Sequence, residues 1–346
     1  MTPARRLFSR APLTALVFVI APLLFAGCEK PRAQGDANAV MVVADESFWY
    51  SIEDVFRDQL EPTILTVRRE RPFRISSIDP ELDRSAWGRV QRLTQIVAIG
   101  TSDDPWIQDA LPRVDGPTPT PPALASATDV WARGQKVWIM LLDQGHGPDE
   151  VLELAGAIQE ELDLRFREWA IRRMFVSGRD TIRADTLERT LGFSVLLPQV
   201  YRNYPDEPVY RFRNDNPSPQ ELIRELAVTW VEPLPEEFPT REELMEWRLR
   251  LTEDYYNDPQ VFDTTVMAFR EIEVAGLRGV ELQSAWASPP DAWPAGGPFI
   301  ARALACPPQN RLYLMDAWVY APARDKYEYM IQLETILNSF RCADGG

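Results

Sequence analysis

The chain opens on an apolar run, residues 11–25, preceded by Arg5, Arg6 and Arg10 and closed by Ala26-Gly27-Cys28. The run is broken by Pro12 and Pro22 and falls short of the roughly 20 residues a spanning helix needs. It reads as the core of an export signal ending in a lipobox, so residues 1–27 are expected to be a cleaved lipoprotein signal peptide. Cys28 is then the lipidated first residue of the mature chain, held by several acyl chains. Residues 28–39 (CEKPRAQGDANA) are polar and aperiodic and are expected to form a flexible tether.

Beyond the tether the apolar positions fall into two periods. Runs at 40–44, 73–78, 94–99 and 137–142 suit buried strands. Helical spacing predicts a helix opened by Ser51 in a capping-box pattern, with Ile52, Val55, Phe56 and Leu60 on one face. Shorter helical spacing covers 84–92, and a long helix runs from Pro148 to about Val176, with Glu161/Arg165 and Asp163/Arg167 at i,i+4. The proline-rich stretch 112–122 is a surface loop. Further strands are expected at 192–197, 209–213, 226–232, 264–274, 279–286, 299–305 and 312–320, the last two forming a hairpin across 307–310. Thr240 with Glu243 opens another helix. A final helix from Asp325 carries Tyr329, Met330, Leu333, Ile336, Leu337 and Phe340 as a core-facing stripe. The pattern predicts an α+β chain of two α/β-layered halves, an N-terminal domain over 40–178 and a C-terminal domain over 179–342.

Charge narrows the partners. The net charge of -15 becomes more negative once the three leader arginines are removed, and such a surface repels nucleic acid and anionic headgroups. With Cys28 acylated, Cys306 and Cys342 remain. They are read as two buried thiols, because Cys342 sits in a terminal tail expected to fray; a disulfide between them is the alternative in an oxidising compartment.

Candidate chemistry is sparse. His146, the sole histidine, lies in Gly145-His146-Gly147 and is expected to be a solvated loop residue. No nucleophile elbow, phosphate-cradling loop or paired metal-ligand motif occurs, so no catalytic residue, metal or cofactor is called for. The acid pairs Asp103-Asp104, Glu236-Glu237 and Glu242-Glu243 read as turn formers and helix starts. The most suggestive segment is 286–299 (WASPPDAWPAGGPF). Here Trp286 and Trp293 can form an exposed aromatic platform for sugar, peptide or lipid, with Gly296 and Gly297 admitting a close backbone approach and Phe299 at its end. The alternative is that the rings pack beneath the loop as its own small core.

Val42-Val43-Ala44-Asp45 with Phe48-Trp49, then Asp129-Val130-Trp131-Ala132, Gly296-Gly297-Pro298-Phe299, Asn310-Arg311-Leu312, Val319-Tyr320-Ala321-Pro322 and Tyr329-Met330-Ile331-Gln332-Leu333-Glu334 occur in that order. In these motifs the chain resembles the domain of unknown function 4837 family of bacterial envelope lipoproteins. The resemblance implies secretion, lipidation and a common α+β fold, and it carries no ligand or catalytic residue with it. The element order of the second half is also similar to PsbP-like domains, which by analogy implies an antiparallel sheet flanked by helices.

Together these readings lead to a secreted, lipid-anchored envelope protein. Glu29 after the cysteine points to the outer membrane, facing the periplasm. The leading expectation is a non-catalytic binding or assembly module whose partner is another envelope protein, peptidoglycan or lipid. A carboxylate-dependent periplasmic hydrolase acting on glycan or peptide is the second reading, and a carrier of a small apolar ligand the third.

Overall fold

The computed structural model describes residues 30–343 except 67, 144 and 146. Cys28, the signal peptide and His146 therefore lie outside the described residues.

The first half is a five-stranded sheet in the order β4-β1-β5-β7-β6. It is laid down by β1 (Ala39–Val43), α1 (Glu46–Leu60), a small hairpin of β2 (Ile64–Leu65) and β3 (Arg69–Glu70), and β4 (Arg74–Ile78). There follow α2 (Arg84–Val90), β5 (Gln95–Gly100), α3 (Pro105–Ala110), β6 (Ala123–Thr128), β7 (Lys136–Leu141) and α4 (Pro148–Met174). Strands β4, β1, β5 and β7 run parallel and only β6 is antiparallel. Parallel neighbours need crossovers, which α1 and α2 help to supply, and this buries both faces of the central strands. In β5 every residue from Gln95 to Ile99 is buried. One face packs on α1 and α4 through Val42, Val97, Trp138, Ile158 and Leu162; the other packs on α2 and α3 through Val90, Ile96, Trp106 and Ile107.

Two expectations are corrected here. Helix α1 begins at Glu46 rather than Ser51: Asp45 is the cap, its carboxylate accepting from Phe48 N at 2.9 Å, so Ser51 sits inside the helix. Of the face assigned from spacing, Ile52, Phe56 and Leu60 are buried and Val55 is exposed. The segment expected as a tether is, from Lys30 onward, bonded to the body. Ala33 N donates to Arg133 O and Gln34 N to Arg92 O, each at 2.8 Å, and Lys30 Nζ donates to the carbonyls of Asp129 and Val130. Backbone groups that its composition assigned to water are satisfied instead by the segments that lead into β5 and β7.

The second half contains α5 (Thr181–Leu191), β8 (Phe193–Ser194), β9 (Arg202–Asp206), β10 (Val209–Asn214), β11 (Ile223–Val231) and α6 (Arg241–Tyr255). It continues with β12 (Val261–Val274), β13 (Leu277–Ala287), β14 (Gly296–Cys306), β15 (Arg311–Tyr320), α7 (Tyr327–Asn338) and β16 (Arg341–Cys342). Seven strands form an antiparallel sheet in the order β12-β13-β14-β15-β11-β10-β9. The fold is α+β, with this sheet between helices. Strict alternation along β15 explains it: Tyr313, Met315, Ala317 and Val319 face α5 and α7, while Leu312, Leu314 and Trp318 face α6. Cys342 does not fray. It pairs with Phe193 in a two-stranded ladder and forms a disulfide with Cys306, which replaces the expectation of two thiols.

Helix α7 belongs to both halves. Its Leu333, Ile336 and Leu337 fill the second sheet's core, and Ile331 enters the core of the first. Tyr327 stacks on Phe166 of α4 at 5.8 Å and donates to Asp163, while Arg167 donates to Glu334 at 3.0 Å and to the Tyr327 hydroxyl at 3.1 Å. Glu70 on β3 accepts from Lys326 N at 2.7 Å just before the helix begins.

Candidate functional site

On the α6 face of the second sheet, a cleft of about 320 Å³ opens where α6 ends. The strand register builds it. Glu225 of β11 lies opposite Arg213 of β10 and, on its other side, opposite Trp318 of β15, while Arg211 sits one row along. Glu225 is thereby placed between two guanidiniums, 3.5 Å from Arg211 Nη1 and 3.6 Å from Arg213 Nη1. The aromatic wall is Trp318, Trp286 and Tyr320, with Trp286 edge-on to Trp318 at 5.4 Å, and Tyr256 closes the inner side at 5.7 Å from Trp318. Trp293 stands at the mouth, 83% exposed. Its loop is pinned by Ser288 N to Ala295 O at 2.9 Å and Ala292 N to Pro289 O at 3.0 Å.

Behind the cleft is a fully buried ion pair. Arg248 of α6 donates from Nε to Asp316 Oδ1 at 2.8 Å and from Nη2 to Gln260 Oε1 at 2.6 Å, and Tyr256 donates to Asp316 Oδ2 at 2.7 Å. The Arg248 guanidinium also lies 3.7 Å from the Phe299 ring centroid, a cation–π contact. Burial, and then the Asp316 charge, push the Tyr256 hydroxyl well above its usual pKa. Tyr256 is therefore a fixed donor.

Two further N–H groups in the cleft lining, Arg211 Nε and Trp318 Nε1, are buried without a hydrogen-bond partner. A buried donor left unpaired costs roughly 1–3 kcal/mol, so such groups are rare in native structures.

Burial pushes Glu225 up to about 7, the two arginines opposing that shift and Asp316 adding to it. The folded chain thus holds this proton more tightly than the unfolded chain, whose carboxyl titrates near 4.5. Unfolding releases the proton between those values, so stability contributed here is present at low pH and falls as pH rises through that window, by about 3 kcal/mol. Glu225→Gln should flatten that part of a profile of urea midpoint against pH; an unchanged slope would show that Glu225 titrates normally.

The structure divides the two readings of this loop between its two tryptophans. Trp293 is exposed as the platform reading required, but Trp286 is buried and donates from Nε1 to Val319 O at 3.2 Å, and Phe299 is buried beneath Arg248. Gly296 and Gly297 begin β14, paired with Ala287 and Trp286 of β13. A Cβ on Gly297 would lie 1.7 Å from Val319 O and 2.9 Å from Trp286 Nε1, so the position is glycine because the Val319 carbonyl, with the indole bonded to it, fills the space a side chain would take. The residues missed in the sequence are Arg211, Arg213, Glu225, Tyr256, Trp318 and Tyr320. The available signal was charge placed on the period-two pattern of otherwise apolar strands, Arg211-Phe212-Arg213 and Glu225-Leu226.

Two of the three acid pairs contribute to a turn and a helix start. Asp104 accepts from Thr101 N at 2.6 Å in a turn, Glu243 completes the Thr240 capping box, and Glu242 pairs with Arg241. Among the described residues no group of three or more His, Cys, Asp or Glu side chains could hold a metal ion, and no helix is long and apolar enough to cross a membrane.

Residues 180–339 match the family model described as a domain of unknown function, DUF4837, and residues 33–176 match a second, DUF8532, also of unknown function. No curated protein matches the chain. Among solved structures it is similar to cyanobacterial PsbP (CyanoP) from Synechocystis sp. PCC 6803, at 12% identity over 44% of this chain and 86% of that one, with a TM-score of 0.30. It is likewise similar to the Saccharomyces cerevisiae Ran-binding protein Mog1p, at 10% identity over 44% and 91%, with a TM-score of 0.29.

Proposed function

We propose that the chain, whose residues 180–339 match the DUF4837 family model, is a lipid-anchored envelope protein whose aromatic cleft captures a ligand or a segment of a partner without chemical turnover. Cys28 supplies the anchor, through the signal pattern that precedes it, and holds the body at the outer membrane facing the periplasm. The observation that carries the reading is Trp293, a large ring left 83% exposed at the mouth of a cleft whose wall is Trp286, Trp318 and Tyr320. Rings so placed supply rigid contact area at small entropic cost, which is why they recur where proteins bind.

Glu225, pushed up to about 7 inside a cleft, favours the hydrolase reading as a proton donor. Against it, the nearest buried carboxylate, Asp316, is consumed by Arg248 and Tyr256, which leaves no second buried acid for a two-carboxylate mechanism.

Crosslinking in intact envelopes tests the proposal. The wild-type protein, recovered with the membrane fraction, should carry a specific adduct that Trp293→Ala reduces about tenfold while its thermal midpoint stays within a degree or so, because an exposed ring contributes little to folding. An adduct of equal yield in Trp293→Ala would refute the cleft as the binding site.

A further inference from the structure

Resting on the reading that Cys28 is acylated, we infer that the chain carries a site for the phosphate of an anionic membrane lipid beside its anchor, in a hollow lined by Arg32, Arg133, Arg165 and Arg172. The hollow measures about 370 Å³ and lies between the N-terminal segment, the turn before β7 and α4. Length of chain fixes its place. Arg133 Nε donates to Lys30 O at 3.1 Å, Arg133 N donates to Pro31 O at 2.8 Å, and Arg32 is bridged to Arg133, so the segment is strapped to the body from Lys30 onward. Lys30 is two residues from Cys28 and Arg32 is four. At full stretch those paths span about 7 Å and about 14 Å. Acyl chains seat Cys28 at the membrane surface, so the body has no slack with which to stand off, and the hollow is kept within reach of the headgroups.

Charge selects the occupant. Four guanidiniums line the hollow against one carboxylate, Glu168, which lies 3.6 Å from Arg172 with both side chains largely exposed. Such a surface pair holds little, and solvent screens it. Glu161, the partner that spacing assigns to Arg165, gives its oxygens instead to Lys136 Nζ and Trp138 Nε1, each at 2.6 Å. The net charge of -15 repels an anion at a distance. Beyond roughly 8–10 Å, however, salt screens that repulsion, so at contact the local sign decides. Guanidiniums match a phosphate with two parallel N–H donors, the geometry that makes arginine a residue of phosphate sites. Trp169 of α4 lines the same hollow, and an indole is a side chain favoured at headgroup level.

Photocrosslinking tests this with the full acylated chain in phosphatidylcholine vesicles that contain a small fraction of either phosphatidylglycerol or phosphatidylcholine with a photoreactive headgroup. Adducts mapped by mass spectrometry are expected on 32–35, 133–134 and 165–172. They should be at least about fivefold more abundant with phosphatidylglycerol, since each arginine at an anionic surface contributes roughly that factor. Arg32→Gln with Arg172→Gln removes two exposed guanidiniums and should abolish most of the excess while the thermal midpoint stays within about a degree. Salt at about 0.5 M should do the same to the wild-type chain. Equal yields from the two lipids, or adducts scattered over the body, overturn the inference and leave the anchor intact. Loss of the excess on adding inorganic phosphate at constant ionic strength overturns the lipid as occupant and assigns the hollow to free phosphate. Intact mass reads the anchor independently: an unmodified Cys28 overturns the anchor and this inference together, and leaves the aromatic cleft to its own test.

Discussion

Arg248→Met is expected to lower the stability of the chain by about 3–5 kcal/mol. Arg248 and Asp316 are both fully buried, so removing the guanidinium strands a carboxylate in the core with only the Tyr256 hydroxyl to support it. Gln260 Oε1 loses its donor as well, and Phe299 its cation. The loss is a property of the broken pair rather than of the side chain's bulk. Arg248→Met combined with Asp316→Leu should therefore recover most of it, because desolvating two charges nearly cancels their attraction. Urea unfolding of the single and double variants checks this: a single variant within 1 kcal/mol of wild type would show that water reaches Asp316.

Removing the Cys306–Cys342 bond is expected to cost about 4 kcal/mol by the chain-entropy model, since it closes a loop between residues 36 apart in sequence. The loop holds β15 together with α7, so the unfolded chain gains freedom in the part of the sequence that supplies nearly half of the core between the second sheet and α7. The ladder of β16 on β8, Ala343 N to Gly192 O at 2.9 Å and Gln309 Nε2 to Gly192 O at 2.6 Å remain in the reduced protein. Reduction should thus weaken the fold without rearranging it. Comparing urea midpoints with and without reductant, and in Cys306→Ala with Cys342→Ala, measures the effect; identical midpoints would assign the bond no role in stability.

Much of this architecture is legible in the chain because its strands are buried on both faces and so read as apolar runs, as at 94–99 and 312–320. The closing stripe of Tyr329, Leu333, Ile336 and Leu337 is legible for the same reason on a helical period. What escapes is structure stabilised from outside itself. Strand β6 (ALASAT) carries too little apolar side chain to announce a strand and exists because β7 offers it a ladder. Helix α5 (TIRADTLERTL) buries only Leu187 fully. The parallel order β4-β1-β5-β7 depends on pairings between distant segments, which local period does not encode.

The site shows the same division. Trp286 and Trp293 look alike in sequence, seven positions apart in one Pro-rich stretch. One lies on a strand that aims its indole across Gly297, and the other on a loop beyond the sheet edge. Arg211, Arg213, Glu225 and Trp318 come from three strands, and only the register of the finished sheet places them around one cavity. Their chemistry was present in the sequence, and their proximity was not.

Helix α7 has a consequence for how such a chain can evolve. A stretch of DNA encoding residues 180–339 alone, moved by recombination into another gene, would deliver the seven-stranded sheet with one side of α7 bare: Ile331 without its core, Tyr327 without Phe166 to stack on and Glu334 without Arg167. A new host would have to cover that strip at once or carry a sticky surface, so inheritance favours copying the two halves together.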